Sequence, residues 1–195
     1  MQQHTVFGQA FFTTELPTTL AREAAARFDA LWNLHPSAFL QIRQPSTQRL
    51  IALPRWQQAY GQDYAYSGIV NRALAVPSLL APFLDWAQHG IEARLNGLLL
   101  NWYDAELGHY IGSHRDSTIG LAVGSPIVTI SLGATRTFRL RPFKAQGFVD
   151  FAARHGAVFV LPFESNRWLK HEVPSPKGAQ GRRISITVRA FAPAS

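Results

Sequence analysis

Three side chains in this sequence have types and spacing suited to holding a metal ion. His114 and Asp116 flank Arg115 in an HRD triplet. On an extended segment alternate residues point to one side, so the imidazole and the carboxylate would face the same way. His171, in the later segment LKHEVP, is a third candidate. Two imidazoles and one carboxylate occupy one face of an octahedral ion and leave three positions open. A 2-oxo acid takes two of those positions and dioxygen the third, the arrangement used by non-haem Fe(II) oxygenases. An HxD triplet alone arises often by chance, and a lone histidine is more often a surface or capping residue. His4, His35, His89, His109 and His155 carry that plain reading.

The chain has no cysteine. That excludes disulfides, thiolate metal sites and cysteine nucleophiles together. A metal would fall to histidine and carboxylate, donors that suit Fe(II) or Mn(II). A second group lies near the carboxyl-terminal end, in RRISITVR. Strand periodicity places Arg183, Ser185, Thr187 and Arg189 on one face, against Ile184, Ile186 and Val188 on the other. Guanidinium binds carboxylate through paired, charge-assisted hydrogen bonds, and hydroxyls add more, so this face suits a dicarboxylate. Taken alone it is an ordinary solvent-facing strand. Joined to HxD and His171 in this order, it reads as a cosubstrate site.

These groups need a scaffold. Hydrophobic residues make up 47% of the 195 positions and charged residues 16%, enough apolar surface for one packed core. A short strand is expected over residues 5–13. Pro17 marks a helix start, with Leu20, Ala24, Phe28 and Leu31 at helical spacing. A second helix is expected over about residues 78–95, with Leu80, Phe83, Ala87 and Ile91 on one face and Pro82 in its first turn. Residues 35–76 show no clean period and read as long loops with short strands. After Gly97 come short apolar runs between turn residues: LLLNWY, PIVTISL, RTFRLR, AVFVLPF and ISITVRAF. The expected fold class is α+β, a double-sheet jelly roll (double-stranded β-helix) with two helices of the N-terminal half on one outer sheet face. Residues 1–195 are read as one domain: 1–96 give the extension, helices and lid, and 97–192 the core.

The formal charge is +7. A basic balance suggests a polyanion, most often nucleic acid, or simply a basic soluble protein. No run approaches the roughly 18 uncharged apolar residues of a membrane span. The start, MQQHTVFGQAFF, lacks the features of a secretory signal, so a cytoplasmic monomer without membrane contact is expected.

Over roughly residues 53–191 the sequence resembles the AlkB-like Fe(II)/2-oxoglutarate dioxygenases. PRWQQAYGQDYAYSG (54–68) is similar to the substrate-lid segment of the family's DNA-repair members, NWY (101–103) to its Asn-x-Tyr, and HRD to its HxD. PIVTISLGATRTFRLR (126–141) is similar to its strand pair, His171 to its second histidine, and RISITVR (183–189) to its Arg-x-Asn-x-Thr-x-Arg. The resemblance implies that Fe(II) is bound by His114, Asp116 and His171. It implies that the cosubstrate 2-oxoglutarate is bound by Asn101, Tyr103, Arg183, Ser185, Thr187 and Arg189. It also implies dioxygen as oxidant and an alkylated DNA or RNA base as substrate, with Trp56, Tyr64, Tyr66, Thr118 and Arg136 as contacts. A base buried in an active site must leave its stack and meet aromatic rings. For Trp56 the competing reading, core packing, is favoured. Arg55, Arg72, Arg136 and Arg139 are candidates for phosphate contacts. Two departures stand out: Ser117 and Thr118 replace the acidic residues usual after HxD, and Ser185 replaces the usual Asn. Three functions remain: demethylation of alkylated nucleic acid, hydroxylation of a protein side chain or small metabolite, and a non-catalytic nucleic-acid-binding jelly roll.

Overall fold

Ile184, Ile186 and Val188 alternate with Ser185, Thr187 and Arg189 along one strand, and the two faces so formed organise the fold. The computed structural model describes residues 1–43, 47–66, 68–178 and 180–193. Ser67, the one serine of the lid segment, and residues 44–46 lie outside the described residues. The chain opens with β1 (Gln2–Val6) and β2 (Gln9–Glu15), then α1 (Thr18–Ala26) and α2 (Phe28–Trp32). The stretch expected to be one strand is a hairpin, because Phe7 and Gly8 both adopt positive φ, 49° and 77°. That is the geometry of a two-residue turn matched to strand twist. The first helix is broken at Arg27, whose backbone (φ −108°, ψ 16°) leaves helical space. The apolar face continues across the break through Ala24, Leu31 and Trp32.

The region read as long loops with short strands holds six of them among the described residues. They are β3 (Gln41–Arg43), β4 (Leu50–Ala52), β5 (Trp56–Tyr60), β6 (Tyr64–Tyr66) and β7 (Ile69–Asn71), followed by the two-residue β8 (Ala73–Leu74). The helix α3 (Ala81–Gly90) is shorter than expected. Ile91 departs from helical geometry (φ −127°, ψ −60°), and Gln88 Nε2 caps the exit by donating to the Leu95 carbonyl at 2.6 Å. The remaining strands are β9 (Gly97–Asp104), β10 (Ile111–His114), β11 (Ile127–Gly133), β12 (Arg136–Pro142), β13 (Val149–Ala153), β14 (Ala157–Leu161), β15 (Leu169–Val173) and β16 (Arg182–Arg189).

Twelve of these strands form two facing sheets, and β3-β4 and β6-β7 are separate two-stranded pairs. The major sheet runs β1-β2-β14-β11-β16-β9-β5-β8, and the minor sheet β10-β15-β12-β13. On the outer face of the major sheet, Leu98, Leu100, Trp102, Ile130, Ile184 and Ile186 pack under the helices, against Leu31, Leu80 and Phe83. The helices therefore cover one outer face, as the periodicity predicts. Gly133 ends β11 at φ 85°, where a Cβ would lie 2.4 Å from the Arg182 carbonyl oxygen, so glycine permits the close approach to β16. Between the sheets, Phe11, Phe138, Leu140, Phe159 and Leu169 fill one side, with Phe138 and Phe159 stacked at 4.5 Å. On the other side, toward β16 and β9, the inner faces turn polar and a cavity remains.

Candidate metal centre and cavity

Antiparallel pairing of β10 with β15 puts His114 directly opposite His171. Their ring centroids are 4.3 Å apart. Asp116 follows β10 by two residues, and its Oδ1 lies 3.6 Å from His114 Nε2 and 3.5 Å from His171 Nε2. The three potential ligand atoms all fall within 4.8 Å of one another, near enough for a single ion to reach them all. Among the described residues this is the one cluster of its kind.

Each donor is held in a state ready for a cation. His114 Nδ1 donates to the Gly112 carbonyl at 2.8 Å. A carbonyl only accepts, so the proton sits on Nδ1 and Nε2 presents its lone pair. The His171 ring stacks on Phe138 (5.6 Å, 20°), and its Nδ1 has no hydrogen-bond partner among the described residues. Burial, together with neighbouring His114, pushes the His171 imidazole down to about 3, so it is neutral at pH 7. Burial pushes the Asp116 carboxyl up, but Arg189 and the two histidines override it and hold it well below the usual carboxylate range. Arg189 donates from Nε at 3.0 Å and from Nη2 at 2.5 Å, both to Asp116 Oδ2, which leaves Oδ1 toward the histidines. Asn166 clamps the Asp116 main chain from both sides. Its Nδ2 donates to the Asp116 carbonyl at 3.0 Å, and its Oδ1 accepts from the Asp116 N–H at 3.1 Å.

The major sheet supplies the opposing surface. Arg183 is fully buried; its Nε donates to Ser131 Oγ at 2.9 Å. Its Nη1 and Nη2 have no hydrogen-bond partner among the described residues. Burial pushes this guanidinium down to about 10, and it stays charged at neutral pH. A buried, unpaired donor costs about 1–3 kcal/mol, and more when charged, so the geometry asks for an anion. Ser185 and Thr187 lie on the same strand face, and Thr129 pairs across from Thr187. Asn101 Oδ1 accepts from Arg55 Nε (2.7 Å) and Gln57 Nε2 (2.9 Å), which leaves its own amide to donate. The Arg183 guanidinium lies 5.3 Å from the Tyr103 ring. The cavity enclosed by the two sheets measures about 460 Å³, an ordinary size for a small-molecule site. Two imidazoles, one anionic carboxylate and a free guanidinium in one cavity fit Fe(II) together with a dicarboxylate.

All nine residues assigned from sequence to metal or cosubstrate line this cavity. The five expected substrate contacts divide. Tyr64 and Tyr66 line it. Tyr64 is nevertheless only 4% exposed, with the Arg189 guanidinium 4.3 Å from its ring and its hydroxyl accepting from the Ser117 N–H at 3.1 Å. The Tyr66 hydroxyl donates to Gln57 Oε1. Trp56 does not line the cavity: strand alternation turns Gln57 inward and Trp56 toward His35 (4.2 Å, 21°) and the helix-side core. Thr118 faces a neighbouring depression with Arg115 and Arg167. Arg136 is buried and lies outside the cavity lining; its Nη2 donates to the carbonyls of His109 and Pro174, and its Nη1 has no hydrogen-bond partner among the described residues. Arg55 is buried as well, and Arg139 is paired with Asp150 and Glu172. Residues not singled out beforehand also matter here: Asn166, Gln57, Thr129, Phe138 and the 43%-exposed Tyr110 at the cavity wall. Gln57, Thr129 and Phe138 had a signal, their places within the PRWQQAYGQDYAYSG and PIVTISLGATRTFRLR segments.

Comparison with known proteins agrees with this geometry. DNA oxidative demethylase ALKBH2 of Bos taurus is 29% identical over 153 residues, covering 73% of this chain and 55% of that protein. The Homo sapiens protein of the same name is 29% identical over 149 residues, covering 71% of this chain and 57% of its own length. The chain thus matches little more than half the length of these relatives. The solved structure of OsALKBH1 superposes with a TM-score of 0.61 at 14% identity, over 97% of this chain and all of that one, a likeness of fold. No helix among the described residues is long and apolar enough to cross a membrane. The model of the 2OG-Fe(II) oxygenase superfamily matches residues 6–189, and with its histidines and aspartate convergent beside a buried, unpaired arginine, the chain belongs to that superfamily.

Proposed function

We propose that this chain is an Fe(II)- and 2-oxoglutarate-dependent oxidative demethylase of N-alkylated bases in DNA or RNA. The observation that carries the reading is the fully buried Arg183, whose two amino groups have no partner among the described residues, in the same cavity as His114, Asp116 and His171. In this reading His114, Asp116 and His171 hold the iron. Arg183 pairs with the far carboxylate of 2-oxoglutarate, assisted by Asn101, Tyr103, Ser185 and Thr187. Arg189 keeps Asp116 ionised and oriented through the paired hydrogen bonds to Oδ2, and its charge would help to hold the cosubstrate. When bound, iron and cosubstrate supply the activation of dioxygen that hydroxylates a C–H bond. On an N-methyl group the hydroxylated carbon leaves as formaldehyde and the base nitrogen is restored without its methyl group. Apolar walls from Leu53, Leu99, Phe138 and Val173 exclude water from this chemistry. The names of the relatives, DNA oxidative demethylases, favour a nucleic-acid substrate.

The experiment is formaldehyde release from an oligonucleotide carrying 1-methyladenine or 3-methylcytosine, with Fe(II) and 2-oxoglutarate. Stoichiometric formaldehyde and succinate are expected. Succinate without formaldehyde from any methylated oligonucleotide would overturn the substrate reading. A second reading, hydroxylation of a protein side chain or small metabolite, is favoured by one observation. Ser117 and Thr118 stand where acidic groups would contact a damaged base in the resembled family.

A further inference from the structure

The outer side of the minor sheet carries a group of charges that the cavity does not use. Arg115, between the two ligand candidates of the HRD triplet, turns its side chain outward. Its guanidinium carbon lies 3.9 Å from the centroid of the Phe143 ring. Lys144 Nζ lies 5.4 Å and Lys170 Nζ 5.9 Å from that same centroid. Three cations thus crowd one ring. The nearby acids are committed elsewhere: Glu172 to Arg139 and Arg141, and Glu164 to Arg167. Among the described residues no carboxylate pairs with either lysine. Like charges held together without counter-charge repel, and an anion relieves them. Beside them stands Trp168, 55% exposed, whose carbonyl accepts from the Phe143 N–H at 2.7 Å. Flat exposed rings next to cations suit a strand that offers both phosphates and unstacked bases. The group also adjoins the site, because Arg115 stands between His114 and Asp116 and Lys170 precedes His171.

We propose that Arg115, Lys144, Lys170 and Trp168 form the docking surface for the single-stranded nucleic-acid segment flanking the base that enters the cavity. The cations meet phosphates and Trp168 stacks on a neighbouring base. This surface rests on the nucleic-acid reading above, and it adds which face of the molecule the strand follows.

The test is binding of an unmodified single-stranded oligonucleotide to the metal-loaded protein, followed by fluorescence anisotropy across a salt series. The variants are Lys144→Gln with Lys170→Gln, Trp168→Ala, and Arg22→Gln with Arg27→Gln as a control that removes equal charge from the exposed, helical side. Each phosphate contact to a single strand contributes roughly 0.7 to the slope of log K against log salt. The double lysine variant should therefore lose about 1.4 of slope. Trp168→Ala should weaken binding roughly tenfold and leave the slope unchanged. The control should keep the wild-type slope. Thermal unfolding of the double lysine variant should not fall, because removing like charges relieves repulsion, whereas a purely structural role for these lysines would lower it. Wild-type slope in the double lysine variant, or an equal loss in the control, would overturn the surface while leaving the substrate reading standing. Loss of binding to phosphatidylserine vesicles with oligonucleotide binding intact would assign the surface to a membrane and overturn it. Absence of oligonucleotide binding by the wild-type chain would overturn both.

Discussion

Metal-capable side chains come from β10 at the edge of the minor sheet, from the segment just beyond it and from the neighbouring β15, whereas the guanidinium, amide and hydroxyl groups come from the centre of the major one. The two are held differently. β16 pairs in unbroken register along its length with β9 on one side and along most of it with β11 on the other, so Arg183, Ser185 and Thr187 take their positions from the ladder itself. β10 is an edge strand whose register shifts between Ile111 and His114, and Asp116 lies beyond its end. Backbone pairing does not fix that carboxylate. Extra contacts do: Gly112 on His114, Phe138 on His171, Asn166 on the Asp116 main chain and Arg189 on its carboxylate. Arg189 ties the two halves together, because it lies on β16 of the major sheet and bonds the Asp116 carboxylate. The contrast teaches that a cosubstrate floor can be set by sheet register alone, while an edge-strand metal centre needs clamps of its own.

The sharpest break in this comparison is at the tie. Asp116→Asn keeps the volume and removes the anionic donor. Turnover should become undetectable, and iron binding followed by spectroscopic titration should be lost. The same change leaves Arg189 charged and buried without its counter-ion, so chemical denaturation should show a loss of about 3 kcal/mol. Turnover at the wild-type rate would place the metal elsewhere. Next in size, Arg183→Ala touches only the cosubstrate half. Removing a charge-assisted pair costs about 1.5–3 kcal/mol, so the 2-oxoglutarate concentration at half-maximal rate should rise about 10- to 150-fold. Metal affinity should stay within about twofold. Asn166→Ala makes the complementary cut. Contacts that orient a ligand are worth roughly 10- to 100-fold in metal affinity, and that loss is expected here with cosubstrate dependence unchanged at saturating iron. If Asn166→Ala instead raised the 2-oxoglutarate requirement, the two halves would not be separable.

The same difference explains what could be read in the sequence. The central strands of the major sheet, β9, β11, β14 and β16, were legible because they are buried on both faces, and β16 states its two faces outright in alternating Ile/Val and Arg/Ser/Thr. In the minor sheet only β12 stood out, through RTFRLR. β10 is IGSH, too short and irregular for alternation, and β13 is a five-residue strand with three exposed residues. β15 did carry a signal, Leu169, His171 and Val173 inward against Lys170 and Glu172, but five residues with one apolar face barely rise above loop. The ligands were found by residue type and order, not by the elements that bear them. Trp56 shows the opposite limit. A shift of one residue exchanges the faces of a strand, and nothing in WQQAY says whether Trp56 or Gln57 points inward. Arg136 looked like a phosphate contact because charge is usually outside, and its carbonyl partners, His109 and Pro174, are distant in sequence. Asn166 belongs to no motif, so only the fold brings it to Asp116.

The smallest expected effect probes whether the floor acts as a set of separate contacts or as one surface. Thr187 and Thr129 pair directly across β16 and β11, and both line the cavity. Thr187→Val keeps the shape and deletes one hydroxyl, worth about 0.5–1.5 kcal/mol as a hydrogen bond. If Thr129 and Ser185 still present theirs, the 2-oxoglutarate requirement should rise only about two- to tenfold, and iron affinity should not change. Isothermal titration with 2-oxoglutarate on the Mn(II)-loaded protein measures this without turnover. A loss as large as that of Arg183→Ala would mean that Thr187 positions the guanidinium rather than adding one contact beside it. The floor would then behave as a coupled unit, as the clamped metal centre does, and the distinction between the two sheets would fail.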